Sequence, residues 1–80
     1  MNYLPIFAGR LKMLREEKGL TQEKLAEIIG SRKSTISQYE NCKREPVVSM
    51  IKKLSVALDV SVGYLLAETD FRNNSVKKTS

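Results

Sequence analysis

Apolar residues recur three and four positions apart along most of this chain, and that period is the strongest constraint on what it can fold into. Phe7, Leu11 and Leu14 share one stripe, as do Leu25, Ala26 and Ile29, and again Val48, Ile51, Leu54 and Leu58. Alternation of the kind a strand needs is confined to the short stretch from Val56 to Val62, so the chain reads as all-α. Stop and start residues divide the pattern into five helices. The first runs from Pro5 to Lys18 and stops at Gly19; the second runs from Gln22 to Ile29, between a capping Thr21 and Gly30. Ser31 is the expected cap of a third helix, Arg32 to Asn41, followed by a charged loop, Cys42 to Pro46. A fourth helix, Val47 to Leu58, ends at Asp59, and Ser61 caps a short fifth one, Val62 to Ala67 or Glu68. Residues 5–68 are thus expected to form one compact five-helix domain, with residues 69–80 as a flexible polar and basic tail.

Composition narrows the function classes. Eighty residues suffice for one small domain, and 41% hydrophobic with 29% charged residues is a soluble globular profile. Fourteen Lys and Arg against nine Asp and Glu give a formal charge of +5, which suits a polyanionic partner. Cys42 is the single cysteine, and there is no histidine. No disulfide or zinc site can be assembled from that set, and the commonest general base is missing. No enzyme activity, metal or cofactor is expected. Met1 to Gly9 lacks the basic start of a signal peptide and is too short to span a membrane, so a cytoplasmic protein without membrane contact is the expectation.

Two short helices joined by a glycine-containing turn, Thr21 to Glu40, form a helix-turn-helix pattern in which the small Ala26 permits close helix approach. With Ile36 at the centre of the buried face of the second of these, Tyr39, Glu40 and Arg32 lie beside it. Lys33, Ser34, Ser37, Gln38 and Asn41 then point outward together, a face without an acid. Such groups match base edges in a major groove: Gln pairs with adenine, Lys donates to guanine O6 and N7, and Ser serves either as donor or acceptor. Gln22 at a helix N-terminus, Asn41, and the loop cations Lys43 and Arg44 suit phosphates.

The stretches Leu11 to Gln22, Leu25-Ala26, Ile36 to Asn41, Lys43 to Pro46 and Leu58 to Ser61 together resemble the lambda Cro and phage-repressor-like helix-turn-helix family, the XRE family. The resemblance covers roughly Phe7 to Leu66 and implies a compact five-helix, lambda-repressor-like domain. It also implies a sequence-specific regulator of transcription, in the sense of a repressor, bound as a homodimer to double-stranded DNA at a pseudopalindromic operator and blocking or recruiting RNA polymerase. Carried over by position, it makes Arg32, Lys33, Ser34, Ser37 and Gln38 base readers, and Gln22, Asn41, Lys43 and Arg44 phosphate contacts. Three departures stand out: Cys42 replaces a usual glycine, Val47 a usual capping Ser or Thr, and Met50 and Val56 usual polar residues. Met50, Val56 and Tyr64 are accordingly the candidate dimer patch. Two other readings stay open: an antitoxin or other protein-interaction module on the same fold, and a restriction-modification controller protein.

Overall fold

Helix α1 (Leu4–Glu17) carries Pro5 in its first turn, where a missing N–H is harmless, and buries Phe7, Ala8, Leu11 and Leu14. The computed structural model describes residues 3–73. Helix α2 (Gln22–Ile29) starts at Thr21, whose hydroxyl accepts from the Lys24 N–H at 3.0 Å. Helices α3 (Lys33–Glu40), α4 (Val48–Leu58) and α5 (Val62–Leu65) follow, and no strand occurs among the described residues. α2 packs on α3 and α4, α1 on α3 and α5, and α4 on α5. Their shared core is Phe7, Leu11, Leu14, Leu25, Ala26, Ile29, Ile36, Tyr39, Ile51, Leu54, Leu58, Val60, Tyr64 and Leu65.

All five helices end in one way. A residue in the left-handed region turns the chain, and the next N–H bonds back to a carbonyl five residues earlier. The turning residues are Gly19 (φ 68°), Gly30 (φ 70°), Cys42 (φ 59°), Asp59 (φ 58°) and Ala67 (φ 64°). The closing bonds are Leu20 to Arg15 at 3.0 Å, Ser31 to Ala26 at 2.8 Å, Lys43 to Gln38 at 2.8 Å, Val60 to Ser55 at 3.0 Å and Glu68 to Gly63 at 2.8 Å. This closure explains two differences from the sequence reading. Ser31 does not cap α3: its N–H completes the α2 closure, and the helix begins one residue later than expected, so that extended Arg32 stands at the N-cap, with no side-chain cap bond. α5 stops short because the turn at Ala67 draws the Glu68 N–H back to Gly63.

Two further expectations need correction. Val48 is 70% exposed, since it sits in the first turn of α4 at the rim of a hollow that no element closes. The stretch expected as a tail begins tied down: the Ser61 N–H bonds to the Arg72 carbonyl, and the Arg72 guanidinium grips the Glu17 carboxylate with bonds of 3.0 and 2.8 Å. That contact holds the Glu17 carboxyl below its usual range. Arg10 supplies the other tie. Its guanidinium stacks 4.0 Å over the Tyr64 ring and donates to the carbonyls of Tyr64 (2.5 Å) and Thr69 (2.8 Å) and to Asp70 (2.9 Å). The rest of the expected tail, including Lys77 and Lys78, lies outside the described residues.

One ion pair is desolvated. Arg15 Nε and Nη2 donate to Glu40 at 2.7 and 3.2 Å, and Nη1 donates to the Leu20 carbonyl at 2.7 Å. The side chains are 11% and 4% exposed. The hydrogen bond to Glu40 pushes the Arg15 pKa above its ordinary value.

Replacing Glu40 by Ala leaves the Arg15 charge buried without its partner, and urea unfolding is expected to report a loss of about 3 kcal/mol. Cys42→Gly and Ala67→Gly relieve a left-handed side chain, and each is expected to add about 1 kcal/mol, raising Tm by roughly 4–8 °C.

Candidate nucleic-acid interface

The orientation of α3 is set from behind. Ile36 is fully buried and Tyr39 nearly so, with the Tyr39 ring edge-on to Phe7 at 5.9 Å between centroids. Burial pushes the Tyr39 phenol above its usual pKa, and the charge of Arg44 acts in the opposite direction. With that side fixed, Lys33, Ser34 and Gln38 are exposed, Ser37 is half-buried, and Arg32 is exposed at the N-cap. Lys33, Ser34, Ser37 and Gln38 thus lie on the side away from the core, as the helical period demanded, whereas Arg32, which that period placed beside Ile36, stands outside the helix at its N-cap and is exposed instead.

The sole acid between Arg32 and Arg44 is Glu40, and it is turned inward onto Arg15. The solvent face of α3 is therefore free of acid and flanked by the exposed cations Arg32, Lys33, Lys43 and Arg44, while Glu45, farther along the loop, accepts from the Tyr3 hydroxyl at 3.1 Å. Between the α2–α3 turn and that loop lies a polar hollow of about 540 Å³ lined by Gly30, Ser31, Arg32, Ser34, Thr35, Gln38 and Arg44.

The polar side chains are less free than their spacing suggests. The Gln22 amide donates to Glu40 Oε1 at 3.0 Å, which leaves its second N–H for a ligand. Asn41 Nδ2 bonds to the Ser37 carbonyl at 2.9 Å and the Ser37 hydroxyl at 3.3 Å, so this amide closes the end of α3. Arg44 Nη1 donates to Gln38 Oε1 at 3.4 Å. None of these pairings is readable from spacing. The one available signal is that Glu40 is an isolated acid in a basic segment.

The candidate dimer patch does not assemble. Met50 is half-buried against the core, and Tyr64 is 7% exposed beneath Arg10. Val56 is 81% exposed, but six residues along a helix place it about 240° around α4 from Met50. It instead borders an apolar hollow of about 590 Å³ with Ile28, Ile29 and Ala57, rimmed by Lys52 and Lys53.

No described helix is long and apolar enough to cross a membrane, and no cluster of metal-ligating residues occurs among the described residues.

Known proteins fit this arrangement. The family described as Helix-turn-helix (HTH_3) matches residues 11–65, from the middle of α1 to the end of α5. The chain is 44% identical over 62 residues to the HTH-type transcriptional regulator SinR of Bacillus licheniformis, covering 76% of this chain and 56% of that protein. It therefore spans little more than half of that relative's length. Among solved structures it is similar to the restriction-modification controller protein C.AhdI from Aeromonas hydrophila, with a TM-score of 0.75 and 37% identity over 81% of this chain and 98% of the other. It is equally similar, with a TM-score of 0.75, to the P22 c2 repressor in complex with a synthetic operator, at 30% identity over 79% and 96% of the two chains. Five helices in this order, the α2–α3 pair turned by Gly30, and these relatives agree: the chain belongs to the helix-turn-helix (HTH_3, or XRE) family of transcriptional regulators.

Proposed function

We propose that this domain reads double-stranded DNA as part of a transcriptional repressor acting in the cytoplasm, with α3 lying in the major groove. The observation that carries the reading is the exposed face of α3, cationic and free of acid because Glu40 is folded inward onto Arg15. With its side chains a helix is about 10–12 Å across, which fits the roughly 12 Å width of the major groove, and the eight residues of α3 run about 12 Å along it. Arg32, Lys33, Ser34, Ser37 and Gln38 meet base edges in this arrangement. Gln22, Lys43 and Arg44 meet phosphates on either side, Gln22 through its free amide hydrogen and the N-terminal N–H groups of α2. Asn41 contributes least, since its amide already serves Ser37.

One such unit covers half of a pseudopalindromic operator, and a second copy related by a two-fold axis supplies the other half. Tyr64 does not serve that contact; among the residues proposed from sequence only Val56 is available to it. Bound over a promoter, the pair acts by blocking RNA polymerase or by recruiting it. Within this class, a controller protein of a restriction-modification system is the specific alternative, supported by the match to 98% of C.AhdI.

Two variants separate base reading from phosphate contact. Lys33→Ala is expected to lose about 1–3 kcal/mol at one base position, seen as relaxed preference in selection of bound duplexes from a random pool. Lys43→Ala is expected to weaken all duplexes alike and to flatten the dependence of log K on log salt by roughly one unit, measured by fluorescence anisotropy. A wild-type protein that enriches no sequence refutes the assignment.

A further inference from the structure

We infer that Arg44 is a specificity-positioning residue, holding the Gln38 amide so that the pair reads guanine. The inference rests on the DNA-reading assignment above and adds to it the identity of one base.

The arrangement starts in the backbone. Cys42 takes a left-handed conformation at φ 59°, and the Lys43 N–H bonds at 2.8 Å to the carbonyl of Gln38 itself. The loop is thereby folded back onto the residue that carries the amide, and Arg44 follows one residue later. Its Nη1 reaches Gln38 Oε1 at 3.4 Å, and both side chains line the polar hollow beside Ser34 and Arg32. The neighbouring charges facing this hollow are cationic, with Arg32 at its far edge and Glu40 withdrawn to Arg15.

That contact decides what Gln38 can read. A glutamine pairs with adenine by accepting from N6 through its oxygen while donating to N7 through its nitrogen. Here one lone pair of that oxygen accepts from a guanidinium, and an adenine amino group approaching the other meets a cation that repels its own positive hydrogens. Guanine presents two acceptors, N7 and O6, in the same place. The Gln38 Nε2 hydrogens, pointed away from Arg44, donate to them, and the nearby positive charge favours O6. Arg44 has five N–H donors, so one bond to Gln38 leaves others for a phosphate. The two roles coexist in one side chain.

The test is duplex selection from a random pool with the wild-type domain, Gln38→Ala, Arg44→Met and the double variant, each first checked for unchanged thermal unfolding. Gln38→Ala identifies the base pair read by Gln38 as the position whose preference disappears. In the wild type that position is expected to be guanine. Arg44→Met is expected to weaken binding overall and to shift guanine-to-adenine preference at that position by about tenfold. The double variant is expected to show no preference there. The inference is overturned if the position is adenine in the wild type, if Gln38→Ala changes no position, or if Arg44→Met weakens all sequences alike with the base preference intact. In each of those cases the wild type still selects a sequence and the DNA-reading assignment stands. If it selects none, that assignment falls and this inference with it.

Discussion

The contact between Arg15 and Glu40 holds the functional parts of this small domain in register. It joins the last turn of α1 to the last residue of α3, and through the Leu20 carbonyl and the Gln22 amide it includes the start of α2. Taking both charges out of water costs several kcal/mol, so the pair adds little net stability compared with an apolar contact of similar volume. Its consequence is positional. Four polar groups from three helices satisfy one another, and no other rotation of α3 keeps Glu40 on Arg15 while burying Ile36 and Tyr39. The same contact also turns the acid of α3 away from that helix's exposed face.

The uniform helix endings are the second organising device. Chains of this size reverse direction four times within a small core, and a left-handed residue with a six-residue closure does so in the fewest residues. Glycine fills that position without strain only after α1 and α2; Cys42, Asp59 and Ala67 hold it with a side chain at about 1–2 kcal/mol each, Asp59 less because its carboxylate can bond locally. The strain at Cys42 is tolerated where the loop cations must return toward α3. A closure with freer geometry at that point would leave Lys43 and Arg44 in place along the chain but not beside Gln38 in space.

What was legible in the sequence is what depends on neighbours close in the chain. Thr21 and Gly30 bracket α2 at both ends as expected, and the phase of Ile36 and Tyr39 placed the outward residues of α3 correctly. The Ser31 cap failed because the closure of α2 takes up Ser31 and moves the start of α3 one residue on, to an N-cap at Arg32, a shift set by backbone geometry rather than residue type. The role of Arg10 leaves no local signal, because its partners, Tyr64, Thr69 and Asp70, lie more than fifty residues away. Without them Tyr64 appeared free for a partner, and Thr69 to Asn73 appeared unattached. The hydrogen bonds of Gln22, Asn41 and Gln38 were hidden although their partners lie only 18, 4 and 6 residues away, since each amide could have bonded to solvent as well as to the protein.

Total charge is a poor measure of how such a domain meets DNA. At physiological ionic strength charges farther than about 8 Å are screened, so the field over α3 is set by groups on and beside it. Arg32, Lys33, Lys43 and Arg44 surround that helix, and Glu40 is neutralised from behind by Arg15. The ions of Glu17 with Arg72 and of Arg10 with Asp70 lie on the side of α1 and α5 and cancel locally. A formal charge of +5 therefore says little about where charge is presented: Arg32, Lys33, Lys43 and Arg44 gather around the acid-free face of α3, while Lys12, Lys18, Lys52 and Lys53 are spread over the remaining surface. Such concentration orients the domain before contact, so that electrostatics brings α3 to the groove and the short Ser, Gln and Lys side chains select among sequences afterwards.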